Sequence, residues 1–355
     1  MMNPVIETDP SLEAIVPTRA EWLDRRVEAA LYPELPIVDP HHHLWSRSGA
    51  PYMVDEFLED ATSGHRIIAT VYLECHTHYR QDGPEHLRSV GEVAFAAATG
   101  EGSAARGGPD VCAGIVGHAD LRLGDRLHAV IDAMHEAGRG RFRGMRQIAA
   151  WHPDPAVKGT VASPPPQLLA DERLRRGVRV LATRGLSFET WVLHSQLGDL
   201  LDVARVAPEA RIVMNHAGGA IGMGAYAGRR DQAFREWSGA IRTLARANNV
   251  VAKIGGFGMR LWGFGFHDHP TPPSSEEVAR RIAPYVETVI EAFGPERCMF
   301  ESNFPVDKGS YSYNVIWNAF KRLTASCSPT EKAALFRGTA ERVYRLRPSL
   351  GAEPR

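Results

Sequence analysis

Short apolar runs alternate with amphipathic stretches along most of the chain. Eight runs rich in β-branched and other apolar residues predict buried strands near residues 36–40, 66–75, 111–117, 141–148, 186–193, 210–215, 249–255 and 297–303. The intervening stretches have apolar residues at helical spacing and predict helices near residues 85–98, 125–137, 167–184, 195–206, 231–248, 275–293, 313–324 and 329–345. This alternation predicts an α/β fold, a (β/α)8 TIM barrel formed as one domain by residues 35–347. No Gly-x-Gly-x-x-Gly follows the first strand, which disfavours a dinucleotide-binding sheet.

The two ends of the chain lie outside this alternation. Within residues 1–34, residues 1–17 are predicted to form an extended arm, and Thr18 can cap a helix that continues to about Tyr32. We expect this extra N-terminal helix to cover the N-terminal end of the barrel or a neighbouring subunit, which favours a homo-oligomer over a monomer. Residues 348–355 form a short tail.

Composition narrows the class of partner. The chain has 41 basic and 42 acidic residues, so no net charge indicates a nucleic acid or an anionic membrane, and a small-molecule partner is favoured. No signal peptide or long apolar span is evident, so we expect a soluble, cytoplasmic protein. The four cysteines are widely spaced, which predicts free thiols rather than disulfides or a cysteine zinc site: Cys75, Cys112, Cys298 and Cys327.

The first strand ends in an unusual polar sequence, Asp-Pro-His-His-His, at residues 39–43. Because strand side chains alternate with period two, His41 and His43 should face the same side and His42 the other. Neutral imidazoles are common zinc ligands, so the pair could supply half of a tetrahedral shell. A solvated turn is the alternative interpretation of three adjacent histidines.

Polar residues recur at the ends of the other predicted strands. In a (β/α)8 barrel the C-terminal strand ends meet at one mouth, where active sites form. One histidine alone is more often a hydrogen-bonded core residue than a ligand, but several at one mouth favour a site. The residues expected to become neighbours are His41, His43, Glu74, His118, Arg146, His194, His216, Glu301 and Asn303.

Five motifs, taken in order, resemble the amidohydrolase superfamily. They are Val-Asp-Pro-His-His-His-Leu-Trp at 38–45, Arg-Gly-Met-Arg at 143–146, Val-Met-Asn-His-Ala-Gly at 213–218, Met-Phe-Glu-Ser-Asn-Phe-Pro-Val-Asp at 299–307 and Phe-Arg-Gly-Thr-Ala-Glu-Arg-Val-Tyr at 336–344. The resemblance is to the amidohydrolase-related (amidohydrolase 2) group, which contains 2-pyrone-4,6-dicarboxylate lactonase, sugar-lactone hydrolases and relatives of aminocarboxymuconate semialdehyde decarboxylase. It covers about residues 35–346.

This resemblance implies a divalent metal ion, zinc or alternatively manganese. His41 and His43 match the family's first ligand pair, and His216 matches the histidine after strand six. His194, after strand five, is the next candidate ligand. Metal-using relatives have an aspartate after strand eight that contacts the metal and takes a proton from water, whereas this chain has Asn303.

Because this chain has Asn303 in place of the aspartate, the identity of the general base is open: an amide cannot take the proton. Glu301, two residues earlier on the same face, is one candidate carboxylate, and Asp307, in the following loop, is the other. Glu301 could instead be a core carboxylate paired with Lys253, and Asp307 could instead cap a helix or turn.

Two arginines of the fourth strand favour an anionic substrate, since guanidinium binds carboxylate through two parallel hydrogen bonds. Arg143 and Arg146 are three residues apart and therefore face opposite sides of the strand. We favour Arg146, which matches the lactonase Gly-x-Arg, while an external salt bridge is the alternative. The remaining candidates for substrate contact are His194, Lys253, Trp262 and His267, the last two in a possible lid at 256–273.

The sequence therefore predicts a hydrolase that opens a carboxylated lactone or related cyclic ester by metal-assisted attack of water. Within the same superfamily, decarboxylation or hydration with a similar metal site is an alternative. Some lactonases of this branch are reported to work without metal, so a metal-independent lactonase is another. A barrel kept only for binding is the non-enzymatic alternative, suggested by Asn303.

Overall fold

The computed structural model describes residues 15–47, 50–157 and 164–346. Eight parallel strands form one sheet in which each strand pairs with the next along the chain. This architecture confirms the predicted (β/α)8 barrel, and each predicted strand is found within a few residues of its expected bounds. The strands are β1 (Pro36–His42), β2 (Arg66–Leu73), β3 (Asp110–Gly117), β4 (Phe142–Arg146), β5 (Ser187–Thr190), β6 (Arg211–Met214), β7 (Val250–Ile254) and β8 (Cys298–Phe300).

The barrel closes where β1 meets the end of β8. His42 forms an isolated parallel bridge with Phe304, and the His43 amide donates to the Phe304 carbonyl at 2.8 Å. The buried Asp39 carboxylate accepts from the Ser302 amide at 3.1 Å and the Tyr313 hydroxyl at 2.9 Å. Closure therefore fixes the histidine-rich end of β1 against the segment that follows β8.

One α-helix follows each strand before the next strand begins, or follows the last strand. These helices are α2 (Val54–Ala61), α3 (Val90–Ala104), α4 (Arg126–Ala137), α5 (Glu172–Thr183), α6 (Leu197–Val206), α7 (Arg230–Leu244), α8 (Ser275–Phe293) and α9 (Tyr313–Leu323), and α1 (Ala20–Leu23) precedes the barrel. Helix α2 and a hairpin formed by Trp45–Arg47 and Ala50–Tyr52 were not predicted. Helix α3 ends at Ala104, six residues beyond the predicted bound at 98.

The predicted N-terminal helix is wrong in length and in position. Of residues 18–32, only α1, four residues long, is α-helical, and Val27, inside the predicted helix, is 86% exposed. The segment runs along the loop after β7, where Trp22 Nε1 donates to the His269 carbonyl at 3.0 Å. Arg25 and Arg26 donate to further carbonyls of that loop. These long-range bonds replace helical ones, because an isolated helix of this length is marginal.

The C-terminal segment, rather than the N-terminal one, closes the N-terminal end of the barrel. After α10 (Pro329–Ala333), a π-helical turn at Ala334–Gly338 leads into α11 (Thr339–Tyr344). Tyr344 packs with the interior residues of the strands, and its hydroxyl donates to Glu189 Oε1 at 2.6 Å. The opposite mouth is therefore the only end of the described barrel where the predicted site residues meet.

Among the described residues, no helix combines the length and the apolar character needed to span a bilayer. Within the same ranges no disulfide joins the cysteines, as predicted.

Candidate active site

The end of β1 has the predicted alternation of side chains. His41 and His43 face each other inside the barrel mouth, with their Nε2 atoms 3.2 Å apart. His42 faces outward, stacks on Phe57 with ring centroids 4.2 Å apart, and its Nε2 lies 2.9 Å from the Thr70 hydroxyl. All three imidazoles are buried, so the solvated-turn alternative is wrong.

Glu301 organises two of the histidines from one layer below the mouth. Its Oε1 accepts from Nδ1 of His216 at 2.7 Å and from the His216 amide at 3.1 Å. Its Oε2 lies 2.6 Å from Nδ1 of His41. The alternative that Glu301 pairs with Lys253 is wrong, because the Lys253 ammonium binds Glu189 at 2.8 Å.

These contacts fix the tautomers of the imidazoles. Carboxylate and carbonyl oxygens only accept hydrogen bonds, so His41 and His216 have their protons on the Nδ1 atoms facing Glu301. His43 likewise donates from Nδ1 to the Leu73 carbonyl at 2.8 Å. Burial, and then neighbouring positive charges, lower the pKa of His41 and His43 well below its usual value, so both rings are neutral. Their Nε2 lone pairs therefore face each other.

That arrangement fits a divalent cation. Two ligand nitrogens of a tetrahedral zinc lie roughly 3.3 Å apart, given Zn–N distances of about 2.0–2.1 Å. The 3.2 Å separation of the His41 and His43 Nε2 atoms matches this spacing. His41, His216 and Glu301 each offer a ligand atom within 4.8 Å of the others. The site thus has the donor set, and the outer carboxylate that orients it, found in histidine metal centres.

His216 is held in a strained conformation next to a glycine. Its φ of 52° lies in the left-handed region, which is uncommon for residues other than glycine. A Cβ on Gly256 would lie 2.7 Å from His216 Nδ1, so only glycine leaves room for the ring. On another side, the Trp191 ring packs against His216 with centroids 4.9 Å apart. Sequence reasoning identified His216 but neither of these two supporting residues.

Arg146 enters the site, whereas Arg143 does not. Arg146 donates from Nε to Glu74 Oε1 at 2.6 Å and from Nη2 to the Glu74 carbonyl, and its Nη1 lies 3.3 Å from His41 Nε2. Arg143 donates to the carbonyls of Gly140 and Phe142, near the start of β4. The structure therefore brings Arg146, and not Arg143, to the histidine cluster, and a substrate contact of either arginine stays a prediction.

Asn303 follows β8 as predicted, and Asp307 orients it. Asn303 has a φ of 58°, a conformation that asparagine tolerates better than most residues. Asp307 Oδ1 accepts from Asn303 Nδ2 at 2.9 Å, and its Oδ2 accepts from the Gly258 amide at 2.9 Å and the Tyr311 hydroxyl. Burial raises the pKa of Asp307 to about 7, against these hydrogen bonds. Asp307 therefore neither reaches over the mouth nor caps a helix with its side chain.

His194 is turned away from the histidine cluster. Strand β5 ends at Thr190, and His194 begins a 3-10 turn four residues later, beyond the reach of strand alternation. Its Nδ1 accepts from the Ile221 amide at 3.1 Å, and its Nε2 lies 3.7 Å from Glu236. The structure does not place its ring nitrogens with those of His41 and His216, so its prediction as a ligand is not supported.

Three further candidates for substrate contact have partners within the fold. Lys253 is fully buried in β7 and bonded to Glu189. Trp262 is buried against this chain's own α8, with its ring 5.2 Å from that of Tyr285. His267 Nε2 accepts from Arg260 at 2.9 Å in the outer part of the loop. The substrate contacts of these three residues stay predictions.

Comparisons with known proteins agree with the barrel fold and identify the family of the chain. A family model described as Amidohydrolase matches residues 38–346. An uncharacterised protein of Sinorhizobium fredii, y4mH, is 32% identical over 335 residues, which cover 88% of this chain and 99% of that protein. An L-fucono-1,5-lactonase of Burkholderia multivorans is 27% identical over 318 residues, 87% of this chain and 96% of its own. A crystal structure of a Burkholderia multivorans amidohydrolase with bound zinc has a TM-score of 0.65 at 24% identity, covering 88% of this chain and 99% of that one.

Proposed function

Because the chain belongs to the amidohydrolase family, as its motifs predicted, we propose that this hydrolase opens a lactone ring by metal-assisted attack of water. The L-fucono-1,5-lactonase relative supports a lactone as the substrate class. The observation that carries the metal-assisted step is the 3.2 Å approach of two Nε2 lone pairs, those of His41 and His43. A cation between them would turn a repulsive contact into two coordinate bonds.

Three histidines would hold the ion through Nε2: His41, His43 and His216. Glu301 would not touch it but would keep the protons of His41 and His216 on Nδ1, which makes it a positioning residue. When bound, such an ion polarises a carbonyl and acidifies water. The zinc in the related Burkholderia structure makes zinc the first ion to test, with manganese as the second.

Asn303 would orient the attacking water. Its amide nitrogen donates to Asp307, which leaves the amide oxygen to accept a hydrogen bond from a water proton. Asp307 already has three donors around its carboxylate and would act only through Asn303. This division of roles differs from the aspartate mechanism expected of relatives, because no carboxylate takes the proton: the attacking water would release its proton to solvent, and the leaving alkoxide would take one from solvent.

The geometry of Arg146 bears on the substrate. Its Nε and one Nη2 proton are bonded to Glu74, and its Nη1 lies 3.3 Å from His41 Nε2. The guanidinium has five N–H donors, so the end that carries Nη1 and the second Nη2 proton could still bind a substrate oxygen without displacing Glu74. The carboxylated, anionic substrate, the homo-oligomer and the decarboxylase or hydratase alternative stay predictions.

A second candidate function is metal-independent lactone hydrolysis. It is favoured by Arg146 Nη1, which lies 3.3 Å from His41 Nε2 and brings a fixed positive charge to the position proposed for the ion. In that case His216, with its Nδ1 proton held by Glu301, would take a proton from water at Nε2, as the histidine of a catalytic triad does. The protonated His216 would then return the proton to the leaving alkoxide.

Metal analysis combined with a substrate screen separates the two candidates. We would measure zinc content and turnover of the wild type, with and without chelator, on L-fucono-1,5-lactone and on 2-pyrone-4,6-dicarboxylate. The variant His43→Ala removes one proposed ligand, and His42→Gln is the matched control, because its ring faces away from the mouth. Metal assistance predicts that His43→Ala loses one zinc equivalent and its turnover, whereas His42→Gln retains both.

Undiminished turnover after complete removal of metal would refute metal assistance and favour the second candidate. Full activity of His43→Ala would likewise refute metal assistance, since His43 is one of the three proposed ligands. Release of carbon dioxide, without opening of any lactone, would support decarboxylation instead.

A further inference from the structure

A second group of metal-ligating side chains lies at the ends of β2 and β3. These strands are parallel neighbours with Leu73 paired to Val116, so the residues that follow them emerge side by side. Glu74 and His76 follow β2, and His118 follows β3. Each offers a ligand atom within 4.8 Å of the others. The imidazoles of His76 and His118 lie with ring centroids 5.0 Å apart.

Glu74 directs a buried carboxylate oxygen into this group. The side chain is fully buried, and its Oε1 is bonded to Arg146 Nε at 2.6 Å. Its Oε2 has no hydrogen-bond partner within the described part of the chain, and His76 Nε2 lies 3.5 Å from it. Burial raises the pKa of Glu74, but the charge of Arg146 outweighs it and the pKa falls to about 2. An ionised oxygen left without a donor is costly unless a cation is near.

The two histidines can present nitrogen lone pairs to that oxygen. His118 Nδ1 donates to the Arg146 carbonyl at 3.0 Å, which leaves Nε2 as an acceptor in the neutral ring. His76 has a φ of 59°, a left-handed conformation that costs energy for a residue with a Cβ. Its side chain is 42% exposed and can therefore shift toward Glu74.

We propose that Glu74, His76 and His118 bind a second divalent cation, at a site separate from the His41, His43 and His216 cluster. One carboxylate oxygen and two imidazoles suit a first-row transition metal such as zinc, with a position left open. Ligand atoms around a tetrahedral zinc lie roughly 3.3 Å apart, so the group must contract from its present spacing. Movement of the exposed His76 supplies that contraction.

Two neighbouring features bear on this site. Glu74 would share its carboxylate between Arg146 and the cation, one oxygen each, which reduces the repulsion between the two positive charges. A cavity of about 480 Å³, lined in part by Tyr79, Arg88 and His118, adjoins the group and gives the cation a path from solvent. The proposal does not depend on the proposed lactonase activity, because none of its three ligands is assigned to that reaction.

Zinc stoichiometry of the full chain tests the proposal. Each protein would be loaded with zinc chloride, passed through a desalting column and analysed for zinc per chain. The test variant is His76→Ala/His118→Asn, in which the asparagine amide can replace Nδ1 as donor to the Arg146 carbonyl while the Nε2 ligand is lost. His86→Ala is the control for adventitious histidine binding, because His86 lines the same cavity outside the group. Circular dichroism checks that each variant is folded.

We expect two equivalents in the wild type and in His86→Ala, one in the double variant and one in His43→Ala. One equivalent in the wild type, lost in the double variant but kept in His43→Ala, would support this site and refute the metal-assisted mechanism. Equal zinc content in the double variant and the wild type would overturn the proposal. It would mean that Glu74 and protonated His76 form an ion pair only.

Discussion

Replacing Glu301 by glutamine tests whether one carboxylate fixes the protons of two histidines that are proposed to bind the metal ion. Glu301 lies 2.7 Å from Nδ1 of His216 and 2.6 Å from Nδ1 of His41, and both nitrogens need an acceptor. The side-chain amide of glutamine has one oxygen, which accepts hydrogen bonds, and one NH2 group, which only donates them. One of the two imidazoles must then have its proton on Nε2, and a protonated Nε2 cannot coordinate the proposed ion.

The expected loss of zinc affinity follows from the altered tautomer of one of the three proposed ligands. Removing an outer-shell partner typically lowers metal affinity by about 10- to 100-fold, which corresponds to about 1.4–2.7 kcal/mol. Because Glu301→Gln also weakens a charge-assisted hydrogen bond to the remaining imidazole, we expect an effect near the upper end of that range. Turnover at saturating zinc should recover in part, since excess ion repopulates the weakened site.

Competition for zinc against a chromophoric chelator measures the affinity directly. The matched control is Glu92→Gln, because Glu92 is also buried with three hydrogen-bond donors but lies outside the histidine cluster. Unchanged zinc affinity in Glu301→Gln would refute the tautomer argument. An equal loss in Glu92→Gln would assign the effect to a general disturbance of the barrel.

Three further substitutions test the surroundings of the site. His42→Ala should lower the free energy of unfolding in urea by about 2–4 kcal/mol through its lost buried ring while leaving the zinc content unchanged; loss of zinc would contradict an outward-facing role. Lys253→Met leaves the charge of Glu189 buried without its partner and should lower the free energy of unfolding by about 3–5 kcal/mol. The double variant Lys253→Met/Glu189→Gln should recover part of this loss. Equal stability of the single and double variants would count against this pairing. In the folded state, burial and then the charge of Lys321 lower the pKa of His65 from 6.5 to about 3. Protonation of His65 in the unfolded chain therefore lowers the free energy of unfolding as the pH drops from 6.5 toward 3, and has no effect above pH 6.5. Between pH 6.5 and roughly pH 5, the free energy of unfolding should fall by about 2 kcal/mol through this group. His65→Asn should remove this part of the pH dependence, and an unchanged dependence of the unfolding free energy on pH, measured by urea titration, would contradict the argument.

The ends of the strands show which site residues the alternation of side chains along a strand could predict. His41 and His43 face the same side, as predicted, because period-two alternation continues through the end of β1 at His42 to the next residue. Arg146, the last residue of β4, was preferred over Arg143 because it matches the lactonase Gly-x-Arg, and alternation only required the two arginines to face opposite sides. His194 and Asp307 lie in short turns beyond their strands, where no periodicity constrains the side-chain direction, and both were predicted to serve functions that their contacts do not support.

The sequence by itself determined the barrel, the family and the histidines of its first strand, because hydrophobic periodicity and contiguous motifs are local properties of the chain. Only the tertiary structure decided that Glu301 serves His41 and His216 rather than Lys253, and that Glu74 engages Arg146. These pairings join strands far apart in sequence, and they depend on which side chains the closed barrel brings to the same depth. The short N-terminal helix has the same cause, since its polar groups bind the loop after β7 instead of each other.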